Sequence, residues 1–236
     1  AIAAGFALGA VEPWMSGLGG CGFMTVYLAD TSKSYAVEFG VRASGTLNPD
    51  DYPLSSGFDS DLFAWPGVVD NRNVLGPHSV AVPGYVAGLA LAADRFATLS
   101  WGELLSPAIS LLQQGLTVDW YSSLKIASSA QDIAGFESTR SVYLPDGQVP
   151  MGHWAGAPPV IELKGLAQTL QQLADEGPET FYRGDLAGRL LRDARQVGIG
   201  LTAEDLAAYQ AECFELPGVA YRDAMVYTPA GLCGGP

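Results

Sequence analysis

Ser16-Gly17-Leu18-Gly19-Gly20-Cys21-Gly22 separates two segments of different character, and its surroundings decide the fold. Before it, Ala1–Val11 is apolar throughout and is stopped by Glu12 and Pro13. This reads as a helix, and as the second half of one, because neither Met nor a capping residue precedes it. After it, Phe23–Leu28 reads as a strand, Ala29–Ser34 as a turn and Tyr35–Phe39 as the hairpin partner. Four glycines in seven residues predict a tight loop whose backbone approaches something closely. The order helix, loop, strand argues against nucleotide binding. A P-loop needs Lys-Ser/Thr after the glycines, where Phe23-Met24 stands, and a dinucleotide fingerprint needs the strand first.

Further along, Asn48–Asn73 is rich in Asp, Pro, Ser and Gly but carries Tyr52, Phe58, Phe63 and Trp65. The aromatics predict an ordered loop laid over the core. The middle of the chain is helical. Val86, Leu89, Ala90, Ala93 and Phe96 follow Pro83 at helical spacing. Ser100 and Glu103 form a capping box ahead of Leu104, Leu105, Ala108, Ile109 and Leu112. Glu162–Asp175 aligns Leu163, Leu166, Leu170 and Leu173, and Asp185–Val197 is a further amphipathic helix. Thr202 and Asp205 cap a short one. Phe214–Tyr221 and Met225–Thr228 read as strands around an Arg222-Asp223 turn, before the glycine-rich Gly231–Pro236. Strands at both ends and helices between predict an α+β protein, and residues 1–236 read as a single domain.

The 236 residues carry 12 Lys+Arg against 25 Asp+Glu, a net charge of -13, which does not suit a nucleic-acid partner. No apolar run approaches the roughly 20 residues of a membrane span. Three cysteines (Cys21, Cys213, Cys233) and two histidines (His78, His153) stand too far apart in sequence for a metal site, and no cofactor is expected. No G-x-S-x-G elbow occurs. Asp50-Asp51 and Asp59–Asp61 read as solvated loop acids. Arg42 follows the second strand, near the glycine loop. It reads either as a surface or ion-paired arginine, or as a bidentate clamp for a substrate carboxylate.

Six segments, in order, resemble the γ-glutamyltransferase (γ-glutamyltranspeptidase) superfamily. They are Ala1–Gly22 running into Phe23-Met24; Ala81-Val82-Pro83-Gly84-Tyr85-Val86-Ala87-Gly88; Leu105-Ser106-Pro107-Ala108-Ile109 with Gly115; Phe181-Tyr182-Arg183-Gly184; Leu201–Tyr209; and Tyr221-Arg222 with Tyr227. The resemblance covers essentially the whole chain. It implies the large-subunit part of a four-layer αββα N-terminal-nucleophile hydrolase sandwich. It also implies a precursor that cuts itself, freeing a Thr or Ser at the start of a small (β) subunit. That hydroxyl forms an acyl-enzyme with γ-glutamyl (glutathione-type) amides, activated by its own α-amine. On this reading the nucleophile is not on this chain, which is a fragment or a partly seen subunit. Its partners are then the small subunit, an amide substrate and a higher oligomer, in a periplasmic or secreted setting. Its share of the site is substrate recognition by Arg42, Gly19 and Gly20.

Two departures stand out. The superfamily places its carboxylate-holding arginine directly after the strand phenylalanine, whereas Gly40 follows Phe39 here and Arg42 stands two residues further on. The loop also carries Cys21 and is preceded by Glu12-Pro13-Trp14-Met15. Both features are similar to the cephalosporin-acylase-like branch, whose glutaryl-type substrates lack the α-amine. A homologue without activity, serving as a binding or structural protein, is the reading from another class.

Overall fold

The structure is a computed structural model that describes residues 1–58, 64–152 and 154–229. Phe63, Asp59–Asp61, His153, Cys233 and the Gly231–Pro236 stretch lie outside the described residues. The opening helix α1 spans Ile2–Val11. Strands β1 (Gly22–Leu28) and β2 (Lys33–Phe39) form the expected antiparallel hairpin, with Gly22 opposite Phe39. The segment read as an ordered loop folds into a short ribbon, β3 (Leu54–Phe58) against β4 (Pro66–Val68), flanked by single 3₁₀ turns. Helices α2 (Tyr85–Phe96) and α3 (Trp101–Gln114) follow, and the Ser100–Glu103 capping box is formed.

The stretch between Gly115 and Glu162 gives no strong periodicity. It holds β5 (Leu116–Thr117), the short helices α4 (Trp120–Ser128), α5 (Ala130–Ala134) and α6 (Glu137–Tyr143), and β6 (Val160–Ile161), which pairs with β5. Then come α7 (Lys164–Glu176), α8 (Glu179–Tyr182), α9 (Asp185–Gln196) and α10 (Ala203–Ala208). The single strand expected over Phe214–Tyr221 is two strands in different sheets. β7 (Glu212–Glu215) pairs antiparallel with β2, whereas β8 (Val219–Tyr221) pairs with β9 (Ala224–Val226). Pro217 lacks the N–H that would continue the ladder, and Leu216 turns inward, its amide donating to the Ser34 carbonyl at 2.7 Å.

The principal sheet therefore has the order β1-β2-β7, all antiparallel. β2 is its middle strand, and Ala36 and Val37 on its opposite faces are both fully buried. One hydrophobic cluster runs from Phe6 of α1 through Phe39, α2, α3 and α7 to Leu206 and Tyr209. At its centre, Phe6 meets the edges of Tyr85 (6.1 Å between centroids) and Trp101 (5.5 Å). The Trp101 indole N–H donates to the Leu173 carbonyl at 2.8 Å and ties α3 to the end of α7. The class is α+β, as the sequence pattern predicts.

Candidate functional site

The glycine loop earns its composition in part. The Gly20 amide donates to the Gly17 carbonyl at 3.0 Å, and the Gly20 carbonyl accepts from Gly84 and Tyr85, both at 3.0 Å. Gly20 thus satisfies two of the free amides at the start of α2. A Cβ on it would stand 3.1 Å from the Gly17 oxygen. On Gly22 a Cβ would meet the Phe39 ring at 2.8 Å, whereas on Gly17 or Gly19 it would meet nothing within 4 Å. Gly19 lines a groove with Leu18, Val80, Ala81 and residues of α7 and α9.

The start of α2 is where four of the sequence motifs meet, and small residues there let large ones approach. Gly84 leaves room for Tyr209, whose Oη would lie 2.1 Å from a Cβ, and Gly88 for Phe39. The Tyr209 hydroxyl donates to the Gly40 carbonyl at 2.7 Å. The Tyr182 hydroxyl donates to the Pro83 carbonyl at 3.0 Å and accepts from the Ala87 amide at 3.0 Å. The two tyrosine rings stack at 5.9 Å. Burial pushes the pKa of both hydroxyls up, that of Tyr182 strongly, so both act as neutral hydrogen-bonding groups.

Arg42 emerges beside this cluster. Its carbonyl accepts from Val82 N at 2.8 Å in an isolated antiparallel bridge. Its guanidinium lies over the Tyr209 ring, 5.0 Å from the centroid. Nη2 donates to the Gln210 carbonyl at 3.1 Å and stands 3.9 Å from Glu212. Both charged side chains are largely exposed (49% and 70%), so that ion pair is worth at most about 1 kcal/mol. Among the described residues these polar contacts use Nη2 alone, so Nη1 and Nε are the donors proposed below for a ligand.

The guanidinium borders a cavity of about 270 Å³ lined also by Phe23, Glu38, Gly40, Tyr209, Gln210 and Glu212. Glu38 faces Glu212 across the β2–β7 pair, a like-charged neighbour, and its Oε1 is buried without a hydrogen-bond partner among the described residues. Arg42 also borders a larger groove with Ser44, Thr46, Asn48, Tyr52 and His78.

The turn after Arg42 is held from α10. The Asp205 carboxylate accepts from Ser44 Oγ and Gly45 N, each at 2.7 Å, and from Thr202 N at 2.9 Å. Burial opposes its ionisation, but the bonds from Gly45, Ser44 and Thr202 outweigh it and hold the carboxyl below the usual carboxylate range.

Of the residues singled out in the sequence, Arg42 and Gly20 are joined through α2 and Tyr209, while Gly19 opens on a separate groove. Tyr209, Asp205, Tyr182 and Glu38 were not anticipated. The first three stand inside quoted motifs, so the signal was present, but only the fold shows what each one touches. Among the described residues, no group of three or more His, Cys, Asp or Glu side chains is placed to hold a metal ion.

Comparison with known proteins agrees with this arrangement. The family model for gamma-glutamyltranspeptidase matches residues 1–236. The chain is 31% identical over 239 residues to the glutathione hydrolase proenzyme of Pseudomonas aeruginosa, covering 100% of this chain and 39% of that protein. It is 34% identical over 232 residues to the acylase ACY 1 proenzyme of Pseudomonas sp. strain V22, covering 97% and 39%. The chain therefore spans about two-fifths of the length of these relatives. A gamma-glutamyltranspeptidase structure from Pseudomonas nitroreducens, complexed with L-DON, superposes with a TM-score of 0.81 at 28% identity, covering 98% of this chain and 63% of that one. The fold is that of the large-subunit portion of N-terminal-nucleophile hydrolases of this kind. With its motifs converging on the start of α2, its fold shared and its whole length matched, the chain belongs to the gamma-glutamyltranspeptidase family.

Proposed function

We propose that this chain is the substrate-recognition part of an autoprocessed amide hydrolase or acyltransferase, with γ-glutamyl amides as its default donors. A small subunit cut from the same precursor would supply the Thr or Ser that carries the acyl group to water or to an acceptor amine. Within the 236 residues, the observation that carries this reading is Arg42. It is a half-exposed guanidinium seated on a buried tyrosine, with donors to spare, at the mouth of a cavity. A planar fork in that setting suits a carboxylate on the acyl side of the donor. Gly20 belongs to the same proposal through its bonds to the start of α2, whereas Gly19 would contribute only by way of the separate groove it lines.

A second reading, an acylase for glutaryl-type donors, is favoured by the 34% identity to an acylase proenzyme. Two residues at about 3.3 Å each place Arg42 further along the chain than a residue directly after Phe39. Glutaryl and γ-glutamyl groups hold their carboxylate at the same distance from the amide, so the shift by itself does not choose between them.

The test is steady-state kinetics of the full-length, self-processed protein with γ-glutamyl-, glutaryl- and butyryl-p-nitroanilide. Arg42→Ala should lower kcat/KM for the two carboxylate-bearing donors by about 2 kcal/mol, roughly thirtyfold, chiefly through KM. Arg42→Lys should recover only part, since the fork is lost. An unaltered preference over the butyryl donor in both variants would return Arg42 to the role of a surface residue. The ratio of the first two donors separates the transferase from the acylase reading. No turnover of any amide by a correctly processed protein would favour a binding homologue.

A further inference from the structure

We infer that Tyr209 and Asp205, just past and within the short helix α10, are positioning residues that set where the Arg42 guanidinium stands. The inference rests on the proposed role of Arg42 as the carboxylate clamp. Arg42 lies past the end of β2, so the sheet ladder does not hold it. Among the described residues its one backbone pairing is the bridge to Val82. Without other supports, its place would be set by a loop.

The supports come from α10. Before Arg42, the Tyr209 hydroxyl fixes the Gly40 carbonyl at 2.7 Å. After it, the Asp205 carboxylate grips Ser44 Oγ and Gly45 N, both at 2.7 Å. Beneath it, the Tyr209 ring carries the guanidinium at 5.0 Å. The five-residue segment from Gly40 to Ser44 is thus anchored at both ends and under its side chain by residues 160 or more positions away.

The platform is itself rigid. Tyr209 is 6% exposed and stacks on Tyr182, which is bonded to the backbone of Pro83 and Ala87. Asp205 is locked in the capping box with Thr202. A clamp held this way offers its free donors in one orientation, so little conformational freedom is lost when a carboxylate binds. The arrangement also accounts for a Tyr four residues after an Asp. One turn of helix separates a carboxylate that reaches the turn after Arg42 from a ring that reaches beneath it.

The test is a double-mutant cycle in the full-length, self-processed protein. The quantity read is the preference for glutaryl- over butyryl-p-nitroanilide, as the ratio of kcat/KM values. Tyr209→Leu should lower that preference about fivefold, as expected for losing a partly exposed cation–π support. The loss should lie in KM for the glutaryl donor. In the Arg42→Ala background, Tyr209→Leu should have no further effect on the preference, because it acts through Arg42. Tyr209→Phe keeps the ring and should retain most of the preference. Should Tyr209→Leu fail to mature, Asp205→Asn is read in the same cycle, since it keeps the side-chain volume while weakening the grip on Ser44 and Gly45. A fall in preference that is additive with Arg42→Ala, or no fall at all, overturns the positioning role while leaving the clamp intact. An Arg42→Ala variant with unaltered preference removes the clamp, and the positioning role with it.

Discussion

At the scale of single residues, Asp205 does two structural tasks with one carboxylate, and its ionisation ties stability to pH. It caps α10 through Thr202 and holds the turn at Ser44 and Gly45. Its pKa is lowered in the folded protein, so the sign is that of a depressed acid. The stabilisation is fully present above the unfolded value of about 3.9 and is lost as pH falls through the folded value. Asp205→Asn should therefore lower Tm at neutral pH, and the gap to the parent protein should narrow progressively below about pH 4. Thermal unfolding of both proteins from pH 7 to pH 3 checks this. A gap that stays constant across the range would mean that the hydrogen-bond geometry matters and the charge does not. Arg42 is the contrasting case. Among the described residues its side-chain partners are one carbonyl, one distant carboxylate and one ring, so removing it should cost this chain little stability while altering the donor preference proposed for it.

At the scale of elements, α2 shows how a helix can carry glycines against its own propensity. Gly88 lies inside the helix, where alanine would favour helix formation by about 1 kcal/mol. Yet a Cβ there would lie 2.1 Å from Phe39 Cγ and 2.5 Å from its Cβ, and the second contact cannot be relieved by turning the ring. Overpacking of this kind costs about 1 to 3 kcal/mol, so Gly88→Ala should be net destabilising, with β2 pushed away from α2. Urea unfolding of the processed protein gives the answer, and a raised midpoint would mean that Phe39 is not seated against α2. The same helix explains what was legible in the sequence. Periodicity marked α2, α3, α7 and α9 because each has one face in a common core, the unbroken apolar run Ala1–Val11 marked α1, and the two capping boxes were readable as local chemistry. The β3–β4 ribbon was not, because β3 is exposed throughout and β4 has only three residues, so neither carries an alternation of burial. The stretch between Gly115 and Glu162 breaks into helices of five to nine residues, too short to show a period. The run from Phe214 to Tyr221 reads as one strand because strand-forming residues stand on both sides of Pro217, whose missing N–H breaks the ladder there. For the site, Arg42 was visible as a charge in an unexpected register. Asp205 was visible as a helix cap and Tyr209 only as a letter of a motif, but not their reach toward Arg42, since a contact across 160 residues leaves no local trace.

At the scale of the whole molecule, the described residues divide into a packed body and a set of exposed apolar edges. The core cluster draws on every helix from α1 to α4 and again from α7 to α10. Outside it, the β8–β9 hairpin exposes Val219, Tyr221, Met225 and Val226, and the β3–β4 ribbon exposes Leu54, Phe58 and Trp65. Exposed apolar clusters on this scale usually mark surfaces that meet another protein part, and the chain spans only 39% of the relatives to which it was compared. Recognition and chemistry then separate. On the function proposed here Arg42 and its cavity meet a carboxylate, but cleaving an amide also needs a nucleophile with a base beside it and donors for the developing oxyanion. In the described body the serine and threonine hydroxyls near Arg42 are engaged in structure. Ser44 Oγ bonds Asp205 and the Gly200 carbonyl, and Thr46 Oγ1 bonds the same carbonyl at 2.6 Å. A protein consisting of residues 1–236 alone should accordingly hydrolyse neither γ-glutamyl- nor glutaryl-p-nitroanilide, even at high concentration. It should still bind glutarate weakly, with the changes in its NMR spectrum centred on residues around Arg42 and absent in Arg42→Ala. Restoring turnover should require the remainder of the precursor. Amide release above the buffer rate by the isolated chain, surviving repurification and lost in a Ser44→Ala or Thr46→Val variant, would place a nucleophile within these 236 residues and overturn the division of labour proposed for the two subunits.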